Sequence, residues 1–558
     1  MRGHRRPGSG PWRRAVVSAG LVGVLLGAAA CSSGDGDGGG NAQAGAVTDT
    51  SETGDPVEGG EITVALEAET NNWLPGQGVF NSPGVNVAYA IYDPLVHRTE
   101  DGALEPYLAE SLEPNAELTE WTLTLRPDVQ FHDGTPLDAQ ALKTIFDDYL
   151  KAPGANTAAS LAEVSSLDVV DDLTVVYRLS QANAAFPELL VSPPGWPFSP
   201  TAAAAAGEDA GAEPVGTGPF RFVSWQRDSN LVVEKNDDYW QAGLPHLDRI
   251  TFRPIPDEDT RLASLQSGDI DVLQSLRQST VVRARDLEGV DNYEHLGSNS
   301  GGGTVNTSKP PFDDVRVRQA LAHALDQEAI IEVLGGADVT PPTTQFYSED
   351  SPYYSEAVAE AYPSYDPDRA RELYEDYVDD PDRSDGLPVG TDLSFTYSCP
   401  PDPTLNEVGQ LVQSLYGAIG AQVELEQVEQ AAWIQKMLTR DYDTGCTRIG
   451  ADRDPYLVFD AAFTDGPLNM TAFQSPEIDE QLDVLRTTTD IEQRKAAVEA
   501  IGLVINENVP NTFAGGTLTV MAAQEAVKNL DGWVFPDGTT GNGAESAQVM
   551  WGHVWTVG

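Results

Sequence analysis

Positive charge is scarce in this chain of 558 residues: Lys and Arg number 33 against 87 Asp and Glu, for a formal net charge of -54. A field of that sign repels phosphate backbones and anionic headgroups, which excludes nucleic acid as a partner and a lipid surface as an electrostatic one. It reads first as a heavily solvated surface suited to a salty or exposed environment, and only second as an attraction for cationic solutes. Histidine is sparse too. His4, His97, His132, His246, His295, His323 and His553 are scattered, with no two at i, i+4, so a zincin-like pair is excluded. No Walker loop is present, and in Gly297-Ser-Asn-Ser-Gly301 an Asn stands where a nucleophile elbow needs Ser. Gly34, Gly36 and Gly39 spell G-x-G-x-x-G with no strand before them, which makes no dinucleotide site. His132-Asp133 precedes Gly-Thr-Pro and reads as a turn more readily than as acid/base machinery. The expectation is a protein that is not an enzyme and carries no metal and no cofactor.

Long apolar runs are also lacking. One run, Ala15 to Ala30, follows Arg2, Arg5, Arg6, Arg13 and Arg14, and it falls short of the ~20 residues that span a bilayer. A basic start, a short apolar core and small residues before the cut mark residues 1–30 as a secretory signal peptide. Arg13-Arg14 hints at twin-arginine export. Cys31, directly after Ala28-Ala29-Ala30, resembles the lipobox cysteine of bacterial lipoproteins, although Ala28 holds the place where Leu is usual. The expectation is a lipid anchor at Cys31 as the only membrane contact; the alternative is a plain A-x-A cleavage that leaves a free thiol. Residues 31–58 are rich in Gly, Ser, Asp and Thr and read as a flexible linker. The chain is thus expected outside the cytoplasm, held to the outer face of the cell membrane. Three Cys are present, and setting Cys31 aside leaves Cys399 and Cys446, an even pair in an oxidising compartment. A disulfide is the natural reading and two separate buried thiols the alternative.

Beyond the linker, strand-like and helix-like stretches alternate, the pattern of an α/β protein. Ile62 to Leu66 is a short β-rich run, and Trp121 to Arg126 alternates at period two before the Asp133-Gly134 turn and a helix over 138–150. Leu231 to Glu234 and Ile250 to Arg253 read as a strand pair. Ser300-Gly301-Gly302-Gly303 is a glycine cluster fit for a crossing between domains. Asp313 and Asp314 are candidate N-caps for a helix whose apolar face is Val317, Leu321, Ala324 and Leu325. Residues 391–450 read as a doubly wound unit: strands Leu393 to Ser398, Val423 to Val428 and Tyr442 to Ile449, helices over 404–419 and 430–439. A ligand lies beyond the carboxyl ends of such strands, and Cys399 and Cys446 fall near those ends on strands expected side by side.

The stretch Glu105 to Leu142, with its "LAES" and "LRPDVQFHDGTPL" strings, resembles the family 5 extracellular solute-binding proteins, the oligopeptide, dipeptide and nickel-binding components of ABC importers. Ile91 to Val96, Gly216 to Phe220, Asn236 to Trp240, Leu265 to Val272 and Pro311 to Ala320 match further blocks in order, so the resemblance runs from about residue 59 to 556. It implies a two-lobed periplasmic-binding-protein clamshell, class II-like, with an extra subdomain inserted in the first lobe. Lobe I would comprise 59–96, 215–299 and 511–558, the inserted subdomain 97–214 and lobe II 300–510. Ligand would bind between the lobes and be buried by hinge closure. The implied partners are a small-molecule ligand, taken as a peptide or peptide-like solute, and the permease subunits of an ABC transporter. A nickel chelate, an oligosaccharide or a sensor role for a signalling partner are the alternatives, and a monomer suits the mechanism.

Candidate ligand residues follow from strand ends and from the resemblance together. Glu67, Asn71, Asn72 and Trp73 come after the first strand, and Trp433, Arg448, Asp452, Arg453 and Asn469 lie near or after the strands of the second lobe. In peptide-binding members an acid in a segment like Gly450-Ala-Asp-Arg-Asp-Pro455 holds the ligand's α-ammonium, and Asp452 is the matching residue. Arg448 is placed to take a carboxylate in a bidentate fork.

Overall fold

The computed structural model describes residues 54–557 except 79, 152–160, 338, 350, 451, 452 and 467. The signal peptide, Cys31 and nearly all of the linker expected at 31–58 lie outside the described residues, as does Asp452.

Alternation of Ile62, Val64 and Leu66 builds β1 (Glu61–Leu66), and a helix, Ser82–Ile91, follows it under an Asn81 cap that accepts the Gly84 N–H. A short hairpin, β2 (Val96–Arg98) and β3 (Leu104–Pro106), leads into four antiparallel strands. These are β4 (Ala109–Pro114), β5 (Glu120–Leu125), β6 (Val164–Val169) and β7 (Thr174–Leu179), ordered β4-β5-β7-β6. Trp121, Leu123 and Leu125 of β5 are buried, as the period-two pattern requires, and the helix Ala139–Lys151 packs its Leu142, Ile145 and Phe146 into the same core. His132 ties the intervening turn to the body: its Nε2 lies 2.9 Å from Gly218 O, and its Nδ1 accepts the Gly216 N–H. Asp133 stitches the turn itself, accepting the Thr135 N–H at 3.0 Å and the Ser199 hydroxyl at 2.6 Å.

The chain then returns through β8 (Phe220–Gln226), β9 (Asn230–Lys235), β10 (Arg249–Pro254) and β11 (Val272–Ser275). β1 lies between β10 and β11, parallel to both, and β9 is antiparallel to β8 and β10.

The long strand β12 (Val290–Val305) carries the chain into the second lobe. There β13 (Ser394–Cys399), β14 (Gln422–Gln427) and β15 (Thr444–Ile449) alternate with the helices Pro403–Ala418 and Gln430–Leu438 in the doubly wound pattern, with β13 parallel to both neighbours. Cys399 and Cys446 face each other across β13 and β15 and form a disulfide, with Cα atoms 5.3 Å apart. Asp314 caps the helix Val315–Ala324 through the Arg316 N–H, whereas Asp313 accepts the Ser384 hydroxyl. Val317, Leu321, Ala324 and Leu325 are all buried. β16 (Asn511–Gln524) brings the chain back, and β17 (Val527–Lys528) pairs with β18 (Trp555–Thr556) near its end.

One sheet runs through both lobes, in the order β14-β13-β15-β12-β16-β11-β1-β10-β9-β8. β12 and β16 are its spine: near Val290 they sit beside β11 of the first lobe, and near Val305 beside β15 of the second. Their register slips between Gly297 and Ser300 and again between Ser300 and Gly302. A side chain would not fit here, since a Cβ on Gly302 would stand 2.0 Å from Thr512 O. The glycine cluster is therefore part of a strand, and the irregularity in the β12–β16 pair, which runs from one lobe into the other, is the natural place for a hinge. The fold is the two-lobed clamshell with an inserted β subdomain. Among the described residues no helix is long and apolar enough to cross a membrane.

Candidate ligand cleft

Strand directions locate the cleft. β1 is parallel to β11, which opposes β16, which opposes β12, so β1 runs with β12 from the first lobe toward the second. β15 is antiparallel to β12 and runs the other way. The carboxyl ends of β1 and β15 thus run toward each other from the two lobes, with β11, β16 and β12 lying between them across the sheet. Ala65 sits level with Asn292 of β12, through Leu273 and Ala522, and Ile449 sits level with Ser300. Eight residues of strand separate those levels, roughly 25 Å along β12. The residues that follow these two strands are therefore the candidate rims of an interlobe cleft.

The first rim is fastened to its own lobe. Glu67 accepts hydrogen bonds from Arg261 Nη2 at 3.1 Å, from the Ser275 hydroxyl at 2.8 Å and from the Leu276 N–H at 3.0 Å. Asn72 Oδ1 accepts the Leu74 N–H and its amide reaches Gln77. Trp73 is buried edge-on against Trp225, 5.6 Å between centroids, and its carbonyl accepts the Tyr92 hydroxyl. Its indole N–H is buried without a partner. Asn71 alone among these four is exposed, with its carbonyl accepting from Arg227, whose guanidinium lies 4.1 Å over the Trp225 ring.

The second rim is mixed. Trp433 is buried beside Tyr442 and donates its indole N–H to Cys446 O at 3.0 Å. Asn469 is buried, with its amide on Thr464 O and Phe473 O and its oxygen accepting from Thr471. These two side chains brace the lobe. Arg448 and Arg453 are exposed and make no ion pair, side-chain hydrogen bond or ring contact with the described residues.

A charged cluster that no motif announces lies between the inserted subdomain and the second lobe. Arg98 Nη2 lies 2.6 Å from both oxygens of Glu188, and Arg494 Nη2 lies 2.6 and 2.5 Å from those of Asp454. The two pairs feel each other across the lobe boundary. Burial raises the Glu188 carboxyl, Arg98 pulls it back, Asp454 pushes it up again and Arg453 lowers it. Tyr347, held far above its usual range chiefly by burial and next by Asp454, presents a buried hydroxyl with no partner. Beside this cluster the lobes touch directly: the Ala184 N–H donates to Arg486 O at 2.8 Å, and Arg486 Nη1 donates to Ala182 O at 3.0 Å. Asp454 carries the one local signal, an acid before Pro455 that caps the helix Pro455–Phe463. Arg98, Glu188, Tyr347 and Arg494 carry none.

Against known proteins, the model of the bacterial extracellular solute-binding proteins, family 5, matches residues 103–469. The chain belongs to that family. Among curated relatives, the glutathione-binding protein GsiB of Pectobacterium atrosepticum is 28% identical over 500 residues, covering 86% of this chain and 93% of the relative. GsiB of Shigella flexneri serotype 5b is 29% identical over 484 residues, covering 83% and 90%. Among solved structures, the substrate-binding protein CtaP of Listeria monocytogenes superposes with a TM-score of 0.74 at 21% identity, over 89% of this chain and 99% of that one. The oligopeptide-binding protein AppA of Bacillus subtilis, in complex with a nonapeptide, superposes at 0.72 with 22% identity, over 90% and 100%. At those identities the structures share the fold with this family 5 protein. The function common to the family, extracytoplasmic solute binding for an ABC importer, agrees with the facing rims and the glycine hinge.

Proposed function

We propose that this family 5 protein is a lipid-anchored receptor that captures a peptide or peptide-like solute between its lobes and passes it to an ABC permease. The observation that carries the reading is the pair of opposed strand ends over a glycine-kinked spine, which makes closure around a solute the motion the fold can perform. The names of relatives support the cargo: curated ones bind glutathione, and neighbours in fold hold a nonapeptide or, in the dipeptide-binding protein of Pseudoalteromonas sp. SM9913, Met-Leu. The first rim offers main chain and the Trp73 region, with Glu67, Asn71 and Asn72 shaping it. The second offers Arg448 and Arg453 on a lobe braced by Trp433 and Asn469, and the resemblance to peptide-binding members makes Asp452 the acid for an α-ammonium. Cys31 would carry the acyl anchor, leaving residues 32–58 as a leash for a monomeric body. The cargo leaves unchanged, since the reading assigns no nucleophile to the cleft.

Thermal unfolding of the chain against di- to octapeptides, sugars and nickel salts tests this. A ligand held a hundredfold above its Kd stabilises the fold by about 2.7 kcal/mol. Shifts confined to peptides support the reading; a flat response to every peptide with a shift from a sugar or a metal overturns the choice of cargo.

A further inference from the structure

Almost every cation of this acidic body is matched. Arg98, Arg178, Arg285, Arg383 and Arg494 sit on carboxylates, and Arg318 and Arg440 donate to main-chain oxygens. Among the described residues, Arg448 and Arg453 are the two Lys or Arg side chains with no ion pair, hydrogen bond or ring contact. In a chain with 87 acids to 33 bases most described cations find a carboxylate and nearly all the rest a main-chain oxygen, so two guanidinium groups left over so close in sequence stand out. Both sit on the same rim. Arg448 is the penultimate residue of β15, level with Gly301 of the hinge, and Arg453 directly precedes the Asp454 cap and lies near Glu188 of the opposite lobe without pairing to it.

We infer that the cargo is a short peptide bearing two carboxylates, its own C-terminus and an acidic side chain, one for each of these guanidinium groups. The inference rests on the peptide reading above and narrows it. A guanidinium fork takes a carboxylate through two parallel N–H bonds, and it stays charged at every physiological pH. The body's negative field works against an anion at long range, so the local pair must supply the attraction, and closing the lobes strengthens it by removing water. A neutral peptide would leave one guanidinium unmatched in the closed cleft, and a basic peptide would meet like charge there.

Calorimetric titration of the full chain with the tripeptides Ala-Glu-Ala, Ala-Ala-Ala and Ala-Lys-Ala, with C-terminally amidated forms of each, reads the inference directly. The acidic peptide should bind about tenfold or more tighter than the neutral one, the worth of a charge-assisted hydrogen-bonded pair. Amidation should remove a similar factor. Arg448→Gln and Arg453→Gln should each abolish one of the two preferences, so that the variant no longer distinguishes either acid from neutral or acid from amide. Neither side chain holds the fold, so both variants should unfold like the parent, and Arg371→Gln, a paired surface residue, should bind like it too. Equal affinity for the acidic and neutral peptides, or full acid preference in both Arg variants, overturns the inference and leaves peptide binding intact. Failure of every peptide, whatever its charge, overturns both.

Discussion

The two rims of the cleft are built on opposite principles. After β1, the side chains that the sequence offers to a ligand are mostly spent on their own lobe: Glu67 on Arg261, Ser275 and Leu276, Asn72 on its own turn, Trp73 in the core. After β15, two guanidinium groups have no ion pair or side-chain hydrogen bond among the described residues, while Trp433 and Asn469 are committed to their own lobe. A rim whose side chains are tied down is a rigid wall that presents backbone and shape. A rim with unpaired charge is where a ligand's own charge decides affinity. If the two strand ends line one site, the side with unpaired cations is the side expected to discriminate.

The sharpest way to break this comparison is to cut the first wall. Trp73→Ala removes a buried indole from between Phe80 and Trp225 and should destabilise the first lobe by about 3–5 kcal/mol, read by chemical denaturation. Glu67→Ala strands Arg261, whose side chain is 1% exposed, without the only carboxylate within ion-pair distance among the described residues, and should cost about 3 kcal/mol. If either variant unfolds like the parent, the first rim is not the fastened wall described above.

Behind that wall lies a pH response. Asp93 is fully buried beside Tyr92, which holds the Trp73 carbonyl, and accepts from Tyr239 and Trp240 with no ion pair among the described residues. Burial pushes its carboxyl up to about 7, and those two donors only partly offset the rise. Between the ordinary value of 3.8 and about 7 the folded chain keeps a proton that the unfolded chain has lost. Stability from this group therefore falls as pH rises through that window and levels off above it. Asp93→Asn should remove the slope, so the difference in unfolding free energy between variant and parent should change by on the order of 2–4 kcal/mol from pH 4 to pH 7.5. A difference that stays flat with pH would mean that Asp93 is solvated.

Much of the frame is legible in sequence because it is local. Period-two burial marks β1 and β5, and the alternation over 391–450 marks the second-lobe unit and sets Cys399 beside Cys446. The spine is harder to read, since glycines at 301–303 weaken a strand signal while close approach to β16 demands them. Strand-end reasoning picks out candidate residues on both lobes, but it has no access to partners that arrive from far along the chain. Arg261 lies 194 residues from Glu67, Arg494 lies 40 from Asp454, and Glu188 lies 90 from Arg98. Whether a polar residue at a strand end is free or committed is a tertiary fact, and for Trp433 and Asn469, as for Glu67, it decides what the side chain does.

The smallest expected effect completes the contrast. Arg448→Ala removes an exposed side chain with no ion pair, side-chain hydrogen bond or ring contact among the described residues, so its unfolding free energy should stay within about 0.5 kcal/mol of the parent. The sign is informative as well. Around a free guanidinium in a chain of net charge -54, loss of one cation weakens the average attraction to the surrounding carboxylates, and a slight destabilisation that fades in high salt is the expected form. A loss of several kcal/mol, like that expected for Glu67→Ala, would instead mean that Arg448 is tied into its lobe in solution, and the asymmetry between the two rims would disappear.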